Sequence, residues 1–166
     1  MHATITLRPW RLSDAARVAE LMNSPLLLRY LTCNLPNPYR LADAEAFLTR
    51  VAEQRQPEMA ILLDGQVVGC VGARPCPETN DCLLGYWVGV PYHGRGIATQ
   101  AVRQFLELLP ELVPGTKTIT AGVYEPNIAS IRVLQKCGFT YHGNQLAPPR
   151  AGDGHDYRGL LYRKSL

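Results

Sequence analysis

Hydrophobic and polar residues follow two kinds of pattern along this chain of 166 residues. Apolar residues recur every three or four positions in segments that predict amphipathic helices at 16–22, 26–31, 41–54, 97–109 and 127–136. Short aliphatic and β-branched runs predict strands at 4–7, 60–63, 67–71, 83–90, 119–123, 139–142 and 157–163. Their order predicts one mixed α/β domain of the α+β type over residues 1–166, with no linker or repeat.

Turn and capping residues mark several of these boundaries. Asp64 and Gly65 stand between two apolar runs, which predicts a β-hairpin. Ser13 and Asp14 precede the first helix and are residue types that cap helix N-termini. Gly138 follows the last helix, where glycine commonly ends a helix.

Composition narrows the class of protein. Hydrophobic residues make up 46% of the chain and charged residues 19%, and no apolar run is long enough to cross a membrane. The net charge of +3 is small and its basic residues are scattered, so we expect no nucleic-acid partner. The first residues show no signal-peptide pattern, and we expect a cytoplasmic monomer or homodimer without membrane contact.

Cysteine and histidine spacing gives no sign of a metal site or a disulfide framework. The five cysteines form no Cys-x-x-Cys pair, and the four histidines show no helical i, i+4 pairing. We therefore predict no metal and expect most thiols to be small buried groups. The cysteines are Cys33, Cys70, Cys76, Cys82 and Cys137.

Residues 86–98 form the most informative stretch, because a predicted strand leads through a glycine-containing turn into a predicted helix. Unpaired amides and the positive end of the helix dipole make such a turn a site for phosphate. Gly94 and Gly96 have no Cβ, so the main chain can approach an anion closely. The stretch lacks the lysine of a P-loop and the third glycine of a dinucleotide-binding motif. It predicts either main-chain binding of another phosphate-bearing cofactor or an ordinary surface turn.

A second motif spans residues 125–139, which alone predict an asparagine-capped helix ended by glycine. Downstream of the first motif, it resembles the Asn-x-x-Ser and Lys-x-Gly-Phe signature of the GNAT acetyltransferases. The residues at those places are Asn127, Ser130, Lys136, Gly138 and Phe139. The first motif is similar to the family's Gln/Arg-x-x-Gly-x-Gly/Ala turn, whose defining places hold His93, Gly96 and Ala98. The preceding Gly-Tyr-Trp resembles the RimJ/RimL-like branch, which acetylates alanine in ribosomal proteins.

The resemblance covers nearly the whole chain and implies the family's fold and co-substrate. The fold would be a central twisted mixed sheet with helices on both faces and two splayed central strands. Acetyl-CoA would place its pantetheine arm between those strands and its pyrophosphate on the glycine turn. The residues implied for binding are Val88, Gly89 and Val90 of the first strand, the amides of His93, Gly94, Arg95, Gly96, Ile97 and Ala98, and the side chain of Asn127.

The family's chemistry implies direct transfer of the acetyl group to an amine. A strand amide near Val88 would polarise the thioester carbonyl, as in an oxyanion hole. Ser130 would assist the departing thiolate, although a serine that only bonds within its helix remains an alternative. Leu134 occupies the place where many family members carry a tyrosine acid. Cys137 stands at a helix C-terminus, where the dipole disfavours a thiolate, so we expect no acyl-enzyme.

The acceptor and the general base stay open at this point. Leucines occupy the approach where Rim-type enzymes often carry a glutamate, and the remaining acidic options are Asp81, Asp153, Asp156 and Glu58. An α-amine, which titrates at about 7.7–8.0 against about 10.4 for lysine, needs less help from a base and is favoured. Small amines such as polyamines, amino acids or aminoglycosides are the alternative acceptors, and a non-catalytic acyl-CoA-binding module is the alternative function. Three aromatic residues could wall an acceptor pocket but are more typical of a core: Tyr30, Trp87 and Tyr157.

Overall fold

The computed structural model describes residues 2–31, 35–145 and 151–166. Seven strands occur in this part of the chain: β1 Ile5–Pro9, β2 Glu58–Leu63, β3 Gln66–Cys76, β4 Asp81–Val88, β5 Thr118–Tyr124, β6 Thr140–Gln145 and β7 Gly159–Ser165. The α-helices are α1 Ala15–Met22, α2 Pro25–Leu28, α3 Leu41–Glu53, α4 Ile97–Leu112 and α5 Ile128–Lys136. Two 3-10 turns lie at Leu12–Asp14 and Val90–Tyr92.

The strands form one seven-stranded sheet in the order β1-β2-β3-β4-β5-β7-β6. Every neighbouring pair is antiparallel except β4 and β5, which run parallel because α4 connects them across the sheet. The mixed sheet predicted from the sequence is confirmed.

The contact between β4 and β5 is short. Only Asp81–Leu83 of β4 pair with Thr118–Thr120 of β5, whereas β3 and β4 pair from Cys76 and Asp81 up to Gly69 and Val88. The rest of β4 and β5 therefore splays into a gap that crosses the sheet. This is the splayed pair of central strands that the family resemblance implies.

Helices cover both faces of the sheet. The larger core contains Phe105 and Leu109 of α4, which are fully buried with Leu84 and Val88 of β4 beside them. Trp87 instead packs with the cluster formed by α1, α2 and α3. Successive strand residues point to opposite faces, so the two clusters lie on opposite sides of β4.

Most predicted elements are present with shifted ends. The predicted hairpin is confirmed, with Asp64 and Gly65 at positive φ angles of 49° and 83°. The predicted cap of α1 is wrong in detail: the Asp14 side chain accepts from the Arg11 amide at 2.9 Å and pairs with Arg8 at 2.8 Å. It thereby caps the 3-10 turn that precedes α1.

The predicted strand 83–90 is too long at its end. Strand β4 stops at Val88, the Gly89 amide donates to Val68 O at 2.8 Å, and a 3-10 turn begins at Val90. Helix α4 continues to Leu112, past its predicted end at 109. Pro110 is tolerated because it lies in the last turn, where the lost N–H affects only the helix end.

Candidate active site

The glycine turn presents a row of free amides at the N-terminus of α4. Gly94 and Gly96 have φ angles of 74° and 73°, a left-handed conformation that residues with side chains rarely adopt. Within the described part of the chain, the amides of residues 94–98 have no hydrogen-bond partner. They border a cavity of about 400 Å³ between α2, β4 and α5. Free amides and the helix dipole suit this end of the cavity to a phosphate group.

Two residues that the resemblance implies for cofactor binding differ in placement from that expectation. The His93 amide is not free, because it donates to Val90 O at 3.1 Å. The His93 ring instead places Nε2 2.6 Å from the carbonyl oxygen of Val88, and since a carbonyl only accepts, Nε2 carries the proton. Val90 packs with the α1–α3 cluster and is not among the residues that line either cavity, and its contact with the cofactor stays a prediction.

Strand β4 directs the main-chain groups of alternate residues into the gap. The Gly89 amide points to β3, where it meets Val68 O. N–H and C=O of successive residues point to opposite edges of a strand, so those of Val88 and Tyr86 face the gap. On the same edge, the Thr120 hydroxyl reaches Cys82 O at 3.4 Å. With its carbonyl held by His93, Val88 offers its N–H to the gap, as the family resemblance implies.

Ser130 forms a close hydroxyl pair with Tyr86. Asn127 caps α5, because its Oδ1 accepts from the Ser130 amide at 3.3 Å. The Ser130 Oγ and the Tyr86 hydroxyl oxygen lie 2.6 Å apart, and the phenol also approaches Ser130 O at 3.3 Å. Burial raises the pKa of Tyr86 to about 12, although the Ser130 hydrogen bond partly offsets this. The phenol is therefore protonated at neutral pH.

Tyr86 is the residue that sequence reasoning missed. Leu134, the place of the family tyrosine, is fully buried in the core. Tyr86 brings a phenol to the gap from β4 instead of from α5. The alternation of residues along the predicted strand could have identified it, because Tyr86 lies on the same face as Leu84 and Val88, toward α5.

A second cavity of about 450 Å³ lies beside the first, on the side of α1 and α3. Residues that border both cavities are Tyr30, Leu31, Tyr86, Trp87, Asn127 and Ser130. The two cavities thus meet at the hydroxyl pair. Tyr30 and Trp87 both border the two cavities, and Trp87 also packs against the cluster formed by α1, α2 and α3. Tyr157 packs edge-on against Tyr30 and Tyr124 at ring-centroid distances of 5.8 and 5.9 Å.

Of the acidic residues considered as a base, Glu58 is the one that borders the second cavity. Its Oε2 accepts from the Cys70 thiol at 3.3 Å, and burial raises the pKa of its carboxyl group. Asp81 lies at the paired end of β4, away from the gap. Asp153 is held by Tyr157 and Arg29. Asp156 is exposed.

Two of the described thiols, those of Cys70 and Cys137, are unsuited to covalent catalysis. Cys137 follows α5, and burial raises the pKa of its thiol, as it does for Cys70. Cys33 lies outside the described residues. No group of three or more His, Cys, Asp or Glu that could hold a metal ion occurs in residues 2–31, 35–145 and 151–166. In the same ranges no helix is long and apolar enough to cross a membrane.

Comparison with known proteins agrees with this geometry. Residues 4–140 match the model of the acetyltransferase (GNAT) domain. A Bacillus subtilis (strain 168) protein named as a ribosomal N-acetyltransferase, YdaF, is 27% identical over 164 residues, covering 94% of this chain and 85% of YdaF.

Solved structures of similar fold include complexes with different bound molecules. Mycobacterium smegmatis RimJ, in complex with CoA-disulfide, has a TM-score of 0.84 at 24% identity, covering 97% of this chain and 81% of RimJ. The AAC(6')-Ib structure with ribostamycin and coenzyme A has a TM-score of 0.80 at 19% identity, covering 98% and 93% of the two chains. At these identities the likeness shows a shared fold. The family model spans most of the sequence, and the chain belongs to the GNAT acetyltransferases, whose co-substrate is acetyl-CoA.

Proposed function

We propose that this protein is an acetyl-CoA-dependent N-acetyltransferase that moves the acetyl group directly to a primary amine. The observation that carries the proposal is the meeting of the two cavities at Tyr86 and Ser130, beside the unpaired edge of β4. One cavity ends at free helix amides suited to a pyrophosphate, and the other offers room for an acceptor. A reaction between two bound molecules needs this arrangement.

The residues proposed to hold acetyl-CoA act mainly through their backbone. The amides of Gly94, Arg95, Gly96, Ile97 and Ala98 would bind the pyrophosphate, because they are free and lie at a helix N-terminus. The N–H groups of the Asn127 side chain remain available to the pantetheine arm, since only Oδ1 is used for capping. Acetyl-CoA supplies the acetyl group as a reactive thioester.

Catalysis would rest on Val88 and on the hydroxyl pair. The Val88 N–H faces the gap and would donate to the carbonyl oxygen as negative charge develops there. Ser130 would donate to the departing sulfur, and Tyr86 would return a proton to Ser130, because the two oxygens are 2.6 Å apart. A phenol is a stronger acid than an alkyl hydroxyl, so proton donation from Tyr86 compensates for the weak acidity of Ser130. The His93 ring on the Val88 carbonyl would hold the end of β4 in place.

The favoured acceptor is an α-amine, such as the N-terminus of a protein or peptide. An α-amine titrates at about 7.7–8.0 and is partly neutral at physiological pH, so a partly buried carboxylate such as Glu58 can complete its deprotonation. The name of the Bacillus relative, a ribosomal N-acetyltransferase, supports this choice. The ribostamycin complex supports a small-molecule amine as the alternative.

The proposal is tested by acetyl transfer to paired acceptors. Purified protein is given acetyl-CoA with an alanine-initiated peptide, the same peptide with a blocked N-terminus and one lysine, spermidine, or kanamycin, and thiol release is followed. We expect release with at least one amine and the highest kcat/KM for the free α-amine. Binding of acetyl-CoA without release for any amine would favour the non-catalytic acyl-CoA-binding module. A preference for spermidine or kanamycin would favour the small-molecule enzyme.

A further inference from the structure

Three residues paired across neighbouring strands lie in a row at the second cavity, and two of them are glycines. Glu58 on β2 is paired with Gly72 on β3, and Gly72 is paired with Gly85 on β4. A Cβ on Gly72 would lie 2.6 Å from Cγ and 3.0 Å from Cδ of Glu58, so the glutamate side chain lies across Gly72. Residues paired across strands share a face of the sheet. The Glu58 side chain therefore extends from β2 over β3, on the face of the sheet that Gly85 shares.

Gly85 leaves open space where this row reaches β4. A Cβ on Gly85 would meet no atom within 4 Å. Neighbouring strands lie about 4.8 Å apart, and an N–H···O hydrogen bond spans about 2.9 Å. An ammonium group bonded to Glu58 would thus lie over Gly85, next to Tyr86 at the edge of the gap.

The charges around the cavity are mixed. Among its described lining residues, Glu58 is the only acidic one, and Arg50 and Arg74 are basic. The Arg50 guanidinium lies 5.7 Å from the centroid of the Phe47 ring on the cavity wall. Neither arginine forms an ion pair with Glu58 in the described structure, yet both lower the pKa of its carboxyl group through their charge. The three charges border the same cavity, and among the described residues the weak thiol of Cys70 is the one hydrogen-bond donor to the carboxylate.

We propose that this cavity selects a primary amine with an anionic group close to it, binding the ammonium at Glu58 and the anion at Arg50 and Arg74. This inference rests on the proposed function and specifies its acceptor. Acceptors with several positive charges, such as polyamines and aminoglycosides, are disfavoured because two arginines face a single carboxylate.

The same contact provides the first proton transfer. One ammonium proton passes to the Glu58 carboxylate, leaving a neutral amine. Its nitrogen lone pair forms the bond to the acetyl carbon as the carbon–sulfur bond breaks and the electron pair leaves with sulfur. The thiolate takes a proton from the hydroxyl pair, the second amine proton restores that pair, and the proton held by Glu58 is released to solvent, so one proton is released per turnover. Mass and charge balance without any further reactant.

The test compares acceptors that differ only in charge. The probes are three tripeptide amides that begin with alanine and carry aspartate, asparagine or lysine second, with alanine, alaninamide and spermidine. For the wild-type protein we expect kcat/KM about fivefold higher for the aspartate than for the asparagine peptide, as for a partly exposed ion pair. The lysine peptide and spermidine should be poorest, and alanine should exceed alaninamide.

Variants separate the contributions of the charges. Arg50→Gln and Arg74→Gln should each weaken the preference for aspartate, and together they should remove it, whereas Arg55→Gln, the same single charge change outside the cavity, should keep it. Glu58→Gln should lower kcat/KM at least about tenfold for every acceptor, the expected loss of a charge-assisted hydrogen bond. Gly85→Ala should raise the acceptor KM without a backbone clash, because it fills only the open space. The Kd for acetyl-CoA by calorimetry and the Tm should stay at wild-type values in all these variants.

The outcomes distinguish this inference from the proposed function. Acetylation of the probes without charge preference, a preference for spermidine, or an unchanged kcat/KM in Glu58→Gln would overturn the inference and leave the N-acetyltransferase standing. A wild-type protein that binds acetyl-CoA but acetylates no amine would overturn both.

Discussion

The two sides of the gap are built from different parts of the polypeptide. On the side proposed for acetyl-CoA, the proposed contacts come mainly from the free amides of residues 94–98 and the Val88 N–H. On the acceptor side, the surface is made of side chains, with Glu58, Arg50 and Arg74 supplying the charges. A main-chain site tolerates most substitutions outside its glycines. A site made of side chains changes its ligand preference when those side chains are substituted. Members of one family can therefore act on different acceptors.

The largest effect is expected at Gly96. Gly96→Glu forces a side chain onto a residue at a φ of 73° and places a carboxylate beside the free amides. We expect acetyl-CoA affinity to fall at least about a hundredfold by calorimetry, since strain and charge repulsion add. Gly115→Glu is the matched control, because Gly115 also has a positive φ of 86° but borders neither cavity. Wild-type affinity in Gly96→Glu would contradict a main-chain pyrophosphate site.

The hydroxyl pair should give the next largest effect, on turnover alone. Ser130→Ala removes the group proposed to donate to sulfur, and we expect kcat to fall about tenfold to a hundredfold with an unchanged Kd for acetyl-CoA. Ser130→Thr keeps the hydroxyl and should retain more activity. Equal kcat in Ser130→Ala and the wild type would leave Ser130 with a structural role.

Tyr86→Phe tests the relay through its pH dependence. The variant should lower kcat less than Ser130→Ala, because Ser130 can still exchange protons with water. The pKa of Tyr86 is raised above its ordinary value, to about 12, so the folded state retains the phenol proton. Ionisation of Tyr86 should therefore cause no loss of wild-type kcat below pH 9. Stability from the buried phenol should fall as pH rises from its unfolded pKa of about 10 toward the folded value. A fall in wild-type kcat near pH 8 that Tyr86→Phe abolishes would contradict this placement.

A smaller effect is expected at Asn127, where two roles overlap. Asn127→Ala should weaken acetyl-CoA binding about twofold to tenfold, corresponding to a hydrogen bond of roughly 0.5–1.5 kcal/mol. It should also reduce the free energy of unfolding by about 1 kcal/mol through loss of the α5 cap. Asn127→Ser keeps a capping oxygen but loses the amide donor, so it should restore stability without restoring affinity. Calorimetry and thermal unfolding measure the two effects separately.

The smallest effect is expected for Cys137. Cys137→Ala should change kcat less than about twofold, because a buried thiol with a raised pKa at a helix C-terminus is a poor nucleophile. Double-reciprocal plots should intersect, as for direct transfer in a ternary complex. Parallel plots, or an acetylated cysteine detected by mass spectrometry without an acceptor, would show an acyl-enzyme instead.

The comparison of the two sides also explains what the sequence could predict. The glycine turn and the cap at Asn127 are each formed by residues that are close together in the chain. Both can therefore be recognised from the sequence. The splayed strands followed from the family resemblance. The pairing of Tyr86 with Ser130, 44 residues apart, depends on how α5 docks against β4 and leaves no local pattern. The row from Glu58 to Gly85 likewise depends on the register of three strands, which no single stretch of sequence encodes.

The short pairing of β4 with β5 has a consequence for folding as well as for the reaction. The sheet consists of a four-stranded and a three-stranded half joined at Asp81–Leu83 and Thr118–Thr120. A pantetheine arm bonded to β4 would act as the missing strand between them. Binding should then make the two halves unfold as one cooperative unit, adding about 2.7 kcal/mol of stability at a ligand concentration of a hundred times Kd. Amide hydrogen exchange at Tyr86 and Val88 should slow with CoA far more than exchange in the β2–β3 hairpin.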